Sequence, residues 1–128
     1  MISKTVANLT PSEFLRFRNK LKTRQFSLEK PVQQRLDKAR LAANRAAVLL
    51  KTEFSVSRVV LFGSIATEEL FHNRSDIDLA VWDIDPGSYY RAVGMLQAID
   101  PEFSVDLIIF DEASTDLQKE ILIGGIEL

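Results

Sequence analysis

Three aspartates and one glycine–serine pair carry the chemistry this sequence could do. Asp76 and Asp78 flank Ile77 and open an apolar run that continues to Trp82. Asp106 stands inside a second apolar run, Val105 to Phe110, and Gly63-Ser64 closes a third that begins at Val59. A carboxylate in an apolar strand loses hydration free energy unless a partner offsets the loss. Residues i and i+2 of a strand share a face and lie roughly 6.5–7 Å apart, so Asp76 and Asp78 are expected to point the same way. Asp106, from a neighbouring strand, is expected to join them. Such oxygen-only donors suit Mg²⁺ or Mn²⁺. Two such ions can hold the attacking and leaving oxygens of a displacement at phosphorus. Asp76, Asp78 and Asp106 are therefore the candidate catalytic residues and metal ligands, with Asp106 suited to accept a proton from the attacking hydroxyl.

Gly63 and Ser64 supply a candidate phosphate site. Glycine lets the backbone come close to phosphate oxygens, and a helix opening after it would present free N–H groups. The Ser64 hydroxyl adds a hydrogen bond. Each feature alone has an ordinary structural explanation as a turn or an ion-pair residue. Their order along one chain is what points to transfer of a nucleoside monophosphate, with pyrophosphate leaving.

These residues need a scaffold. Arg58 to Phe62 is predicted to be a strand buried on both faces, followed by a short helix from Ile65 to Leu70. Asp76 to Trp82 is predicted to be a second strand, with Ile77, Leu79 and Val81 facing helices and the aspartate face partly open. Phe103 to Phe110 is the third strand. Helices are predicted over Pro11 to Arg24, Pro31 to Glu53, Tyr89 to Ile99 and Ser114 to Ile123, the last ending at Gly124-Gly125 in a left-handed cap. The fold class is α/β (α+β): a small mixed sheet of about three strands packed with helices. Residues 1–54 are expected to form a helical N-terminal extension on a core at 55–128. Trp82, Tyr89 and Tyr90 read as packing or cleft residues.

Composition narrows the classes. The chain has 128 residues, no cysteine and one histidine, His72, which excludes thiolate chemistry and a histidine cluster within one chain. Residues 1–60 hold 13 Lys/Arg against 4 Asp/Glu, and residues 61–128 hold 3 against 14. The acidic half contains the candidate site, so a bound triphosphate requires a cation there. No membrane span or secretory signal is apparent, and the expectation is a cytoplasmic protein for which nucleic acid is not the partner.

Leu61-Phe62-Gly63-Ser64-Ile65-Ala66, with Ser75-Asp76-Ile77-Asp78-Leu79-Ala80-Val81, resembles the signature of the DNA polymerase β-like nucleotidyltransferase superfamily. Val105-Asp106-Leu107-Ile108 is similar to its third-carboxylate strand. The size, and the segment Leu117 to Leu128, resemble its minimal nucleotidyltransferase (MNT) branch, the MntA-type antitoxins paired with HEPN-domain RNase toxins. The resemblance implies a polymerase β-like core that transfers AMP from ATP, with Mg²⁺ or Mn²⁺, to a tyrosine of a HEPN partner. It also implies phosphate binding at Gly63 and Ser64 and metal binding at Asp76, Asp78 and Asp106. Where the family often has a basic residue and a glycine soon after Gly-Ser, this chain has Thr67-Glu68-Glu69 after Ala66. Arg74 is the candidate nucleotide-binding residue that would compensate. Two alternatives are an antitoxin acting by occlusion without catalysis, and a nucleotidyltransferase acting on a small hydroxylated molecule such as an aminoglycoside.

Overall fold

The computed structural model of the chain describes residues 29–67, 71, 72 and 75–128. The predicted helix at Pro11 to Arg24 and the candidate residue Arg74 lie outside the described residues. A long helix, α1 (Lys30–Glu53), starts at a proline in its first turn, where the missing N–H costs nothing. Leu36, Ala39, Ala42, Ala43, Ala46, Ala47 and Leu50 are buried along one face. Alanines on this stripe let the helix axis approach the sheet closely. Leu50 accepts the backbone N–H of Phe54 at the helix end, and Ser55 turns the chain at φ 54°.

Four strands follow: β1 (Arg58–Phe62), β2 (Ile77–Trp82), β3 (Val105–Ile109) and β4 (Ile126–Glu127), arranged in the order β3-β2-β1-β4. β1 pairs antiparallel with β2 and with β4, whereas β2 and β3 run parallel. The parallel pair needs a crossover, which the helix α2 (Tyr89–Gln97) provides. A last helix, α3 (Thr115–Gly124), begins at Ser114, whose side chain accepts the Leu117 N–H at 3.2 Å. The fourth strand is an addition to the three expected from the sequence. Two residues are too few to carry an alternating pattern, and only pairing of Ile126 and Glu127 with Leu61 and Val60 defines them as a strand.

The sheet has two unequal faces. Ile77, Leu79 and Val81 face the main core with Val59, Leu61, Leu36, Leu50 and Leu96, as the period-two pattern predicts. The opposite face carries Val60, Phe62 and Ala80, covered by Ile121 and Leu117 of α3. The aspartate face is thus only partly open, because α3 roofs its far end. Trp82 lies under this roof, stacked on Phe110 with ring centroids 4.4 Å apart and with the Arg58 guanidinium on it. Burial of each large aliphatic side chain in these layers contributes about 1.5–3 kcal/mol.

Two local expectations are corrected. α3 does not end in a left-handed residue: Gly125 has φ −77° and ψ 157°. Glycine is needed there because a Cβ would collide with the Ile121 carbonyl and the Val60 side chain. Gly63–Ile65 is a single 3-10 turn rather than the approach to an α-helix at Ile65, and residues 68–70 lie outside the described residues. One such turn carries little of an α-helix dipole. Any anion held there relies on individual backbone N–H groups.

Candidate active site

The register of the sheet assembles the site. Phe62, the last residue of β1, lies opposite Asp78 on β2, and Asp78 lies opposite Asp106 on β3. Parallel neighbours in register project from the same face, so Asp78 and Asp106 meet. Asp106 is exposed and Asp78 half-buried, and their side chains lie within hydrogen-bonding reach of each other. A hydrogen bond between two carboxylates requires that one keep its proton. Burial, followed by the charge and hydrogen bond of Asp106 and the charges of Asp76 and Glu120, pushes the Asp78 carboxyl up from 3.8 to about 7.

Asp76 is exposed and stands one residue ahead of β2 rather than within it. It acts on Asp78 through its charge. Glu120 was absent from the sequence-derived site. It approaches from α3, a helix that reaches the aspartates only through tertiary packing, so no local pattern could signal it. Arg74, as stated, lies outside the described residues.

Gly63 closes the site from the β1 side. Its backbone is left-handed, φ 76°, and a Cβ on it would collide with Oδ2 of Asp78. The glycine therefore meets two demands at once, a conformation costly for other residues and contact with a carboxylate. Ser64 is half-buried in the same turn. The turn is held from behind: the Gly63 carbonyl accepts the Thr67 N–H at 3.2 Å, and the Ile65 carbonyl accepts Nε and Nη2 of Arg40 on α1, at 3.3 and 3.2 Å.

A cavity of about 510 Å³ opens beside β3, with Tyr89, Tyr90, Ile108, Glu112 and Leu117 on its wall. The Tyr89 hydroxyl donates to the Leu107 carbonyl at 2.6 Å. Burial, with Tyr90, Asp106 and Glu112, pushes the Tyr89 phenol up, so it stays a neutral donor at ordinary pH. Tyr90 is 86% exposed. Gln97 bonds both the N–H and the carbonyl of Val105, at 3.0 and 2.6 Å. α2 thereby covers part of the open edge of β3.

Residues 44–128 match the family described as polymerase beta, nucleotidyltransferase. The chain belongs to the polymerase beta nucleotidyltransferase family. Three solved structures similar to this nucleotidyltransferase are toxin–antitoxin complexes. One is a tri-AMPylated Shewanella oneidensis HEPN toxin with its MNT antitoxin, at 25% identity and TM-score 0.53 over 70% of each chain. The second is a toxin–antitoxin with AMP-PNP, at 25% identity and TM-score 0.53 over 65% of this chain and 69% of the other. The third is the toxin–antitoxin MntA–HepT, at 25% identity and TM-score 0.51 over 69% of each. No curated protein matches the chain.

Among the described residues no group of three or more His, Cys, Asp or Glu side chains is placed to hold a metal ion. The chemistry of the donor set nevertheless fits a hard divalent cation. Asp78 and Asp106 stand side by side in register, and the charges of Asp106, Asp76 and Glu120 act on Asp78. A cation among these carboxylates would relieve the repulsion that helps to raise Asp78. Among the described residues, no helix is long and apolar enough to cross a membrane.

Proposed function

We propose that the protein is the antitoxin of a HEPN–MNT pair and transfers AMP from ATP to a tyrosine hydroxyl of its partner. The observation that carries this reading is the Asp78–Asp106 contact, with the Gly63-Ser64 turn packed directly against Asp78. It pairs a site for concentrated negative charge with a turn whose backbone can approach phosphate. The AMPylated toxin and the AMP-PNP complex among the similar structures support AMP as the group moved.

In this mechanism Asp76, Asp78 and Asp106 would hold Mg²⁺ or Mn²⁺. The ions, when bound, neutralise charge on the triphosphate and on the leaving pyrophosphate. Backbone N–H groups at Gly63 and Ser64, with the Ser64 hydroxyl, orient the phosphates. The tyrosine oxygen forms a bond to the α-phosphorus as the bond to pyrophosphate breaks and its electron pair departs with pyrophosphate. The tyrosine proton passes to the Asp106 carboxylate. The acceptor approaches along β3, whose Ile108 lines the cavity and stands two residues along the strand from Asp106, on the same face. In-line positioning of acceptor and α-phosphate supplies much of the rate.

The test separates catalysis from occlusion. An Asp76→Ala/Asp78→Ala variant still binds the toxin but no longer protects cells from it. Protection equal to wild type by a folded double variant would contradict the proposal.

A further inference from the structure

We propose that Arg40 is the positioning residue of the Gly63–Ile65 turn, fixing from behind the backbone N–H groups that meet phosphate. The inference rests on the nucleotide-binding reading of this turn. Arg40 precedes the residues that match the family, 44–128, and it lies 25 positions ahead of its hydrogen-bond acceptor. Its place at the site is therefore a product of how α1 packs, not of the signature.

Three observations carry the inference. Nε and Nη2 both donate to the Ile65 carbonyl, a two-bond clamp at 3.3 and 3.2 Å on a half-buried side chain. The clamp grips the last residue of the three-residue turn, so it fixes the direction in which the N–H groups of that turn point. Among the described residues, the charges that act on Asp78 beside the turn, those of Asp76, Asp106 and Glu120, are negative, so phosphate held there depends on well-aimed N–H groups. Neighbours of Arg40 on the core side of α1 are Ala39, Ala43 and Leu36, all fully buried. They hold the helix against the sheet and so keep Arg40 beside the turn. A guanidinium is charged at every working pH and its fork geometry suits two parallel bonds.

The test is isothermal titration with MgATP, alongside thermal melting without nucleotide. Arg40→Gln is expected to melt within a few degrees of wild type while binding MgATP about tenfold more weakly, the scale of a charged hydrogen bond. Arg40→Lys keeps the charge but makes at most one bond to a single carbonyl lone pair in that geometry. It is expected to fall between the two, about threefold weaker. If wild type itself does not bind MgATP, the functional reading fails. If wild type binds and Arg40→Gln binds equally, the role of Arg40 fails alone. Should Arg40→Gln not fold, Arg40→Lys decides: wild-type affinity in a folded Arg40→Lys overturns the clamp, and an intermediate loss with unchanged melting supports it.

Discussion

Gly63 and Asp78 are in contact so close that no side chain fits between them: the place of a Gly63 Cβ is taken by the Asp78 carboxylate. Two independent costs follow for Gly63→Ala. A Cβ at φ 76° is strained by about 1–2 kcal/mol, and the collision adds to it. In the double variant Gly63→Ala/Asp78→Ala the collision disappears and only the backbone strain remains. Chemical denaturation of the two single variants and the double variant is expected to show strong non-additivity. Simple addition of the two single costs would contradict the contact.

The raised Asp78 carboxyl sets the sign of a pH dependence. Its folded value, about 7, lies above its ordinary 3.8, so the folded chain binds more protons than the unfolded chain between these values. The stability this gives is present below about pH 4 and is lost as pH rises through 7. Asp78→Asn mimics the protonated form. In EDTA its melting temperature is expected to exceed that of wild type at pH 8, with the gap closing toward pH 4. A gap that stays constant across this range would contradict the assignment.

Divalent cations are expected to reverse that penalty. Mg²⁺ or Mn²⁺ is expected to raise the melting temperature at pH 8, because a ligand of the folded state alone stabilises it by about 2.7 kcal/mol at a hundred times its dissociation constant. Asp106→Asn and Asp78→Asn are each expected to reduce the rise. An equal rise in wild type and both variants would place cation binding elsewhere.

Gly125 tests packing against backbone conformation. Its φ of −77° is open to any residue, but a Cβ would strike Val60 and the Ile121 carbonyl. Gly125→Ala and Gly125→Asn are expected to destabilise alike, by about 1–3 kcal/mol, read from urea melts. Asparagine is tolerated in left-handed caps, so full stability of Gly125→Asn with loss in Gly125→Ala would restore the left-handed cap.

The legible parts of this fold are those encoded over short spans. β1 was visible as a continuous apolar run and β2 as an alternation that separates Ile77, Leu79 and Val81 from Asp78 and Ala80. The α1 stripe from Leu36 to Leu50 was visible at helical spacing. The pairing of Asp78 with Asp106 could be expected from their types, but their contact depends on a parallel register between strands 28 residues apart at those positions. β4, Glu120 and Arg40 escaped because each acquires its role from a partner distant in sequence: β1, Asp78 and the Ile65 carbonyl. The glycines misled in one case. Gly63 was read for close backbone approach and also proves left-handed, whereas Gly125 answers to a close approach of α3 to β1 that no local pattern shows.

Transfer of AMP is read most directly from ATP labelled at the α-phosphate, incubated with Mg²⁺, the protein and a HEPN-type partner. Label is expected to move to a partner tyrosine with release of pyrophosphate. Asp76→Ala/Asp78→Ala is expected to abolish labelling while the complex still forms. A wild-type complex that silences the partner's RNase with no label incorporated would rule out AMP transfer as the mechanism.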